Sequence, residues 1–222
     1  MVWALLPLKD FVNAKQRLSG VLAANERRQL FQLMVEDVLD VLSVHPMIEQ
    51  TVIVSDDPSA QLLAEHYKVL CWSESALSGS GLSQVVNAAA AKLATQGVET
   101  LLVVHGDLPL LTADEVQQMI SSHRSLQQPA MTIVPDTIQD GSNCIVATPP
   151  DAMQYQYGQQ SYAKHCTSAG NNGLTVNTLT LNGASRDIDD PSDLEQLLLS
   201  SSQSTRTQQF LSLIHISEHT RR

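Results

Sequence analysis

The chain has 222 residues, of which 43% are hydrophobic and 4% aromatic, and its formal net charge is −10. This length suits one large α/β domain or two small ones, built around an aliphatic core. The acidic balance argues against nonspecific nucleic-acid binding, and no apolar run reaches the roughly 18 residues of a membrane helix. Three widely spaced cysteines without a C-x-x-C pair indicate reduced thiols, and hence a cytoplasmic protein.

Strand-like and helix-like segments alternate along the chain, which predicts an α/β fold with a mostly parallel sheet and helices on both faces. Residues 2–8 are predicted to form the first strand rather than a signal peptide, because they lack a basic leader. In residues 25–45 apolar side chains recur at intervals of three and four, which predicts a long helix. Its apolar stripe packs either on the sheet or in a homodimer. The other predicted elements are strand 51–55, helix 61–66, strand 68–71, a flexible loop at 79–81, helix 83–95, strand 101–105, helix 112–123, strands 130–135 and 144–147, helix 161–169, strand 174–181 and helix 191–199.

The C-terminal segment from Arg206 onward does not continue the helix pattern. It resembles the translated adapter sequence that is sometimes appended to environmental gene fragments. We therefore predict a nucleotidyltransferase domain of residues 1–204, on grounds given below, and a tail of residues 205–222 that is non-native or disordered. The alternative is a genuine C-terminal arm that packs on a partner.

Several common catalytic motifs are missing from the sequence. There is no G-x-x-x-x-G-K-[ST], no G-x-G-x-x-G after a strand and no G-x-S-x-G nucleophile elbow. Zinc-type ligand spacing is missing as well. These absences weaken the hypotheses of a P-loop NTPase, a dinucleotide-dependent oxidoreductase, an α/β hydrolase and a zinc enzyme.

An apolar run ending in Asp107 and followed by Pro109 is the most informative segment of the chain. It predicts a buried strand that delivers one carboxylate to the carboxyl edge of the sheet, where open α/β folds bind ligands. Asp107 is therefore a candidate metal ligand that faces a phosphorylated substrate. The alternative is a turn or helix cap.

Three cations, Lys9, Lys15 and Arg17, follow the first predicted strand within nine residues, in a chain with 13 lysines and arginines. A triphosphate needs its charge neutralised and its α-phosphorus made electrophilic, and fixed cations do both. The alternative is a loop whose cations face water.

Two acids, Asp187 and Asp189, alternate and would share one face of an extended segment. Their hard oxygen ligands suit Mg²⁺, which usually bridges to phosphates. The alternative is a pair of solvated surface acids, which would give the same sequence pattern. Asp190, placed before Pro191, is predicted to cap a helix.

Two further segments offer neutral donors. The loop 136–143 brings Gly141, Ser142 and Asn143 between two predicted strands. Gly158 and Ser161 open a predicted helix, whose free N–H groups suit a phosphate. Ser161 could equally serve as the cap of its own helix.

Taken in order, these motifs resemble the 2-phospho-L-lactate guanylyltransferases of coenzyme F-420 biosynthesis, with their phosphoenolpyruvate and 3-phospho-D-glycerate variants. The resemblance spans residues 2–199. It rests on Pro7-Leu8-Lys9, Ala14-Lys15-Gln16-Arg17-Leu18, Val54-Ser55-Asp56-Asp57, Gly81-Leu82-Ser83, Gly106-Asp107-Leu108-Pro109-Leu110-Leu111, Asp140-Gly141-Ser142-Asn143, Tyr157-Gly158 with Ser161, and Asp187-Ile188-Asp189.

The resemblance implies a single-domain, Rossmann-like nucleotidyltransferase fold. It also implies transfer of GMP from GTP to the phosphate of a small phosphorylated acid, with release of pyrophosphate and Mg²⁺ as the cofactor. A downstream transferase would consume the labile product. The implied residues are Lys15, Arg17 and Asp107 for catalysis; Leu6, Pro7, Lys9, Lys15, Asp56 and Gly81 for the nucleotide; Ser142, Asn143, Gly158 and Ser161 for the acceptor; and Asp107, Asp187 and Asp189 for the metal.

The chain departs from the family pattern at His105-Gly106, where Ala often precedes the aspartate, and at Gln159 and Gln160, which border the expected acceptor site. Two other hypotheses stay open. One is a molybdopterin- or sugar-nucleotidyltransferase of the same fold, although the usual Gly-rich first loop is missing. The other is a catalytically silent nucleotide-binding module.

Overall fold

The structure is a computed structural model that describes residues 1–11, 13–77, 81–200 and 204–219. The flexible loop predicted at residues 79–81 lies outside this described part, except for Gly81. None of the described helices is long and apolar enough to cross a membrane.

A seven-stranded sheet forms the centre of the molecule, in the order β3-β2-β1-β4-β6-β5-β7. The strands are β1 (Val2–Pro7), β2 (Gln50–Val54), β3 (Leu70–Trp72), β4 (Thr100–Val104), β5 (Ala130–Pro135), β6 (Ser142–Thr148) and β7 (Thr175–Thr178). Strand β6 runs antiparallel to its neighbours β4 and β5, and the other neighbouring strands pair in parallel. The prediction of a mostly parallel sheet is confirmed.

Helices cover both faces of this sheet, as predicted. They are α1 (Ala24–Leu42), α2 (Pro58–Tyr67), α3 (Leu82–Thr95), α4 (Ala113–Arg124), α5 (Ser161–Asn171), α6 (Pro191–Leu199) and α7 (Arg206–His219). One core cluster packs α1, α2, α4 and α6 on one face, and a second packs α3 and α5 on the other. The apolar stripe of α1 is buried within the single chain, so it packs on the sheet rather than in a dimer interface.

The last strand is shorter than predicted. Residues 174–181 were expected to be extended, whereas β7 spans Thr175–Thr178. Leu179 donates one more backbone hydrogen bond to Ile133, and a turn then begins in which Ser185 donates to the carbonyl of Leu181. The chain therefore leaves the sheet edge and turns back towards the carboxyl ends of the strands.

The reversed direction of β6 decides which residues meet at the carboxyl edge of the sheet. Val104, the last residue of β4, pairs with Cys144 near the start of β6. Beyond the strand, His105 still donates its backbone N–H to the carbonyl of Asn143. The beginning of β6 thus lies beside the loop that carries Asp107, on the edge where open α/β sheets bind ligands.

The segment from Arg206 has a place in the fold that the sequence did not indicate. Arg206 and Thr207 donate backbone hydrogen bonds to the carboxylate of Asp37 on α1, and the Thr207 hydroxyl donates a third at 2.6 Å. Leu211 is buried in the same core cluster as α1. The first turns of α7 therefore dock on α1, while the domain boundary after residue 204 and the foreign origin of the tail stay predictions.

Candidate active site

A cleft of about 530 Å³ opens at the carboxyl edge of the sheet, between the loop after β1 and the turn after β4. Its wall carries most of the charged residues that the sequence singled out. They are Lys9, Lys15, Arg17, Asp107 and Asp189.

The Lys15 ammonium group bridges two of the predicted metal ligands. Its Nζ lies 2.6 Å from Oδ2 of Asp107 and 2.8 Å from Oδ1 of Asp189. Arg17 lies on the outer side of this cluster, with its Nη1 3.6 Å from Asp189 and its side chain largely exposed. Lys15 itself adopts a left-handed backbone conformation with φ of 54°, which is uncommon for a residue other than glycine. The two carboxylates therefore hold a side chain on a strained turn.

The loop after β1 is also tied to the end of β2. The backbone N–H of Phe11 donates to Oδ2 of Asp57 at 2.9 Å, while Oδ1 of the same residue caps α2 through Ser59. Asp57 belongs to the motif Val54-Ser55-Asp56-Asp57 of the family resemblance, which assigns it no role of its own. The pattern Asp-Pro at a helix start predicts the cap, but nothing local predicts the bond to Phe11.

The charges in the cleft shift one another's pKa. Burial by itself would lower the pKa of Lys15, but Asp107 and Asp189 outweigh it and raise that pKa above its usual value. For Asp107, burial by itself would raise the pKa. The positive charge of Lys15 outweighs the effect of burial, so the pKa of this carboxyl is lowered. Both groups are therefore ionised at neutral pH and form a buried ion pair.

Asp187 lies in a different electrostatic environment. Burial, and next the negative charge of Asp107, raise the pKa of Asp187 to about 6. Its Oδ1 accepts a hydrogen bond of 3.1 Å from Nδ2 of Asn143. The sequence pair Asp187 and Asp189 is thus split: Asp189 binds Lys15, and Asp187 binds Asn143 near the start of β6.

The donor set can be tested against a divalent cation. In the described part of the chain, no group of three or more His, Cys, Asp or Glu side chains is gathered closely enough to form a ready metal site. The chemistry of the donors nevertheless fits Mg²⁺, because all are carboxylate oxygens. Among the described residues, Oδ1 of Asp107 is buried without a hydrogen-bond partner, and the pKa of Asp187 is raised first by burial and next by the negative charge of Asp107.

The predicted nucleotide residues are spread over three strand ends. Leu6 is fully buried within β1, and Pro7 and Lys9 line the cleft. Gly81 precedes α3 with φ of 88°, next to Leu82, which also lines the cleft. Asp56, at the end of β2, uses its carboxylate to accept hydrogen bonds from Ser73 Oγ at 2.6 Å and from the Ser75 backbone at 2.9 Å. The structure therefore gives Asp56 a structural contact at a loop.

The predicted acceptor residues form a buried polar cluster beside the cleft. Ser142 and Ser161 are each 2% exposed, and their hydroxyls are 3.3 Å apart. The backbone of Gly158 has φ of 108° and accepts from the N–H of Ser161. The tip of the loop between β5 and β6, just before Ser142, is held by Asp136, whose carboxylate accepts a hydrogen bond from the backbone N–H of Gly141. A Cβ at Gly141 would meet that carboxylate at 2.8 Å, so this glycine accommodates Asp136 rather than a ligand.

Two histidines at this site were not predicted. His105 lines the cleft, and its ring lies 5.1 Å from that of Tyr157. Its Nε2 is buried and has no hydrogen-bond partner in the part of the chain that the structure describes. His165 is fully buried on α5 and contacts Ser142. Its position four residues after Ser161 places both on one helix face, a spacing that could have identified it.

Solved structures support the fold assignment. The chain resembles a putative nucleotide-diphospho-sugar transferase from Desulfovibrio desulfuricans G20, with a TM-score of 0.76, 18% identity and coverage of 95% of this chain and 94% of that chain. It also resembles a 4-diphosphocytidyl-2C-methyl-D-erythritol synthase, with a TM-score of 0.61, 14% identity and coverage of 89% of this chain and 97% of that chain. At these identities the likeness shows the Rossmann-like nucleotidyltransferase fold alone.

Sequence relatives are more specific. The chain is 31% identical over 194 residues to a phosphoenolpyruvate guanylyltransferase of Sphaerobacter thermophilus, covering 87% of this chain and 91% of that protein. It is 33% identical to the corresponding protein of Conexibacter woesei, covering 88% and 86%. A 2-phospho-L-lactate guanylyltransferase of Methanocorpusculum labreanum is 30% identical, with coverage of 88% and 82%. The family model described as guanylyl transferase CofC-like matches residues 2–222. The chain therefore belongs to the CofC-like guanylyl transferase family.

Proposed function

We propose that this enzyme transfers GMP from GTP to the phosphate of a small phosphorylated acid, such as phosphoenolpyruvate, 2-phospholactate or 3-phosphoglycerate, and releases pyrophosphate. The observation that carries the proposal is the cluster of Lys15, Asp107 and Asp189 at the carboxyl edge of the sheet. Membership of the guanylyl transferase family supplies the reaction class. The names of the relatives support phosphoenolpyruvate and 2-phospholactate as acceptors, and 3-phosphoglycerate is added from the family resemblance. The proposal includes a role in coenzyme F-420 biosynthesis and a cytoplasmic location.

The chemistry needs cations that hold a triphosphate. Lys9, Lys15 and Arg17 all line the same cleft, and each can neutralise phosphate oxygens. An oxygen of the acceptor phosphate forms a bond to the α-phosphorus, and the bond from that phosphorus to the bridging oxygen of the β-phosphate breaks. Pyrophosphate leaves with the electron pair. No covalent enzyme nucleophile is required, because a phosphate oxygen already serves.

Mg²⁺ is the proposed cofactor, and Asp107, Asp187 and Asp189 are the residues that would hold it. When bound, Mg²⁺ supplies Lewis-acid polarisation of phosphate oxygens. The single positive charge of Lys15 is shared between two of the three carboxylates, Asp107 and Asp189. We infer that Lys15 exchanges these carboxylates for the triphosphate when the nucleotide binds.

The acceptor is proposed to bind beside β6. Because this strand is reversed, Ser142 and Asn143 at its start lie on the same edge as Asp107. Gly158 and Ser161 are joined to them through the Ser161–Ser142 contact. The loop before α5 is fixed to α3, because Asn87 exchanges hydrogen bonds with both backbone groups of Tyr155. A phosphoanhydride product of this kind is labile, and we propose that a downstream transferase consumes it.

The test is pyrophosphate release with Mg²⁺ from GTP, ATP, CTP and UTP, each combined with each of the three acids and with a sugar 1-phosphate. A downstream transferase is included, because the product is labile. We expect turnover with GTP and one of the acids. Turnover with a sugar phosphate instead would favour a sugar-nucleotidyltransferase, and silence across the panel from folded protein would favour a nucleotide-binding module.

A matched pair of variants controls this experiment. Asp107→Asn removes a carboxylate charge in the cleft, and Asp114→Asn removes one from the exposed first turn of α4. The proposal requires loss of turnover in the first variant and normal turnover in the second. Equal activity in both would contradict it.

A further inference from the structure

His165 on α5 is a fully buried histidine that the reaction outlined above does not use. Its two ring nitrogens are both within hydrogen-bond distance of other groups. Nδ1 lies 2.9 Å from the hydroxyl of Ser142, and Nε2 accepts the backbone N–H of Gln156 at 2.8 Å. The ring of Tyr157 packs edge-on against it at 4.9 Å. Each nitrogen therefore has a defined partner.

The backbone bond decides the tautomer of this ring. The N–H of Gln156 can only donate, so Nε2 has to present its lone pair. The neutral ring then carries its proton on Nδ1. Burial, and next the charges of His105 and Lys164, lower the pKa of His165 to about 4, which keeps the ring neutral at pH 7. Nδ1–H must therefore donate to Ser142.

Ser142 consequently receives two hydrogen bonds. His165 donates one, and the hydroxyl of Ser161 donates the other at 3.3 Å. A hydroxyl oxygen has two lone pairs and one proton, so both acceptor positions are filled. The proton of Ser142 is left to donate to a group outside this trio.

Ser142 begins β6 at the sheet edge where Asp107 and Lys15 lie. We propose that His165 is a positioning residue, which fixes the hydroxyl of Ser142 as a hydrogen-bond donor to an anionic oxygen of the acceptor. The idea rests on the proposed function, because it needs an acceptor with an ionised phosphate or carboxylate. An ionised oxygen accepts without donating, so it matches a hydroxyl that can only donate.

The Nδ1–H tautomer is the premise of the proposal, so the first test is spectroscopic and independent of turnover. A purely structural histidine would share this tautomer and would leave the KM for the acceptor unchanged when it is replaced, which the second test measures. Nitrogen-15 NMR of the imidazole ring in the free enzyme at pH 7 distinguishes the two neutral tautomers and the imidazolium. We expect the Nδ1–H tautomer. The Nε2–H tautomer or an imidazolium would overturn the proposal.

The second test uses two substitutions, each of which keeps a hydrogen-bonding group at the position of one ring nitrogen. His165→Asn keeps an amide donor at the position of Nδ1, and His165→Gln keeps an acceptor at the position of Nε2 but removes the donor to Ser142. With phosphoenolpyruvate as the probe, we expect His165→Gln to raise the acceptor KM at least about tenfold, which is the size of a lost hydrogen bond to a charged group. His165→Asn should restore most of this loss, and the KM for GTP should stay unchanged in both.

A double-variant cycle checks that His165 acts through Ser142. Adding His165→Gln to Ser142→Ala should cost no further affinity for phosphoenolpyruvate. Additive losses, or equal rises in the KM for GTP and the acceptor, would overturn the positioning role. Absence of turnover by the parent protein with every acceptor would overturn the proposed function and the acceptor role of Ser142. The tautomer spectrum would still decide the His165 assignment separately.

Discussion

Lys15 and Asp107 are 92 positions apart in the chain, yet their charged atoms are 2.6 Å apart at the mouth of the cleft. The pair joins the loop after β1 to the turn after β4. Because the side chain of Lys15 is only 6% exposed, the ion pair is shielded from water on the lysine side. Breaking such a pair from one side leaves an uncompensated buried charge.

Lys15→Met should therefore affect both stability and turnover. We expect a loss of about 3 kcal/mol in the free energy of unfolding, and a decrease in turnover of at least about 100-fold, as for removal of one charge-stabilising group. Urea unfolding and pyrophosphate release measure the two effects. Lys68→Met is the matched control, because Lys68 has the same left-handed backbone with φ of 56° but is exposed. Parallel behaviour of the two variants would contradict the role given to Lys15.

Asp107→Asn should abolish turnover and leave the fold intact. The amide keeps the size of the side chain, and Lys15 retains Asp189 as a partner at 2.8 Å. The lost charge, however, removes the proposed metal ligand, whose Oδ1 is buried without a hydrogen-bond partner among residues 1–11, 13–77, 81–200 and 204–219. Circular dichroism and binding of Mn²⁺ by paramagnetic relaxation test fold and metal affinity in the same samples. Unchanged Mn²⁺ binding would show that Asp107 is not a ligand.

Gly106→Ala should destabilise the protein through a steric clash. A Cβ at this position would lie 2.6 Å from Cδ2 of Leu8 and 3.1 Å from Cγ2 of Val35, both in the core. Overpacking of this kind costs about 1–3 kcal/mol. Leu8→Val in the same chain should recover part of the loss, because it shortens the clashing side chain. Gly170→Ala is the control: its Cβ meets nothing within 4 Å, and alanine favours the helix.

Stability should fall in mild acid because of His123. Its ring is buried, with Nε2 2.8 Å from the hydroxyl of Thr148, and burial lowers its pKa to about 4. Between pH 6.5 and 4 the unfolded chain therefore binds more protons than the folded protein, so stability is lost as the pH falls through this window. We expect melting temperatures of His123→Gln to decline less steeply than those of the parent protein. Superimposable pH profiles would refute this.

Removal of residues 205–222 should lower stability while leaving turnover unchanged. The buried carboxylate of Asp37 would lose the three donors that Arg206 and Thr207 provide, at a cost of about 1–3 kcal/mol. None of the described residues of this segment lines the cleft. A second truncation after residue 214 keeps those contacts and should melt like the full chain. Loss of activity in the first variant at a temperature where it is folded would argue for a functional tail.

The sequence predicted local structure better than long-range contacts. The apolar spacing of residues 30–42 identified α1, and the pattern Asp190-Pro191 identified the cap of α6, where Asp190 accepts from the N–H of Ser192. Both patterns, the apolar spacing and the Asp-Pro pair, are made by residues close together in the chain. The reversed direction of β6, by contrast, depends on pairing with β4, some 40 residues earlier, and nothing in its own sequence encodes direction.

The same distinction separates the predicted and unpredicted parts of the site. Asp107 could be identified because a strand that ends in a carboxylate is a local pattern. Its partnership with Lys15, and the separation of Asp187 from Asp189, follow from how distant loops meet. His165 was overlooked because its role depends on the backbone of Gln156 and the start of β6, neither of which lies on its own helix.

The hairpin between β5 and β6 has a consequence for how the acceptor preference could diversify. Its turn is closed by hydrogen bonds from the backbone N–H groups of Asp140 and Gly141 to the carboxylate of Asp136, and it ends at Ser142 on the ligand edge. The same turn is joined to the start of α5, because the N–H of Tyr162 donates to the carbonyl of Asp140 and the N–H of Gln160 donates to its carboxylate. A change of sequence in this turn would therefore reach the start of β6 and the start of α5 together, so both proposed parts of the acceptor site would change at once.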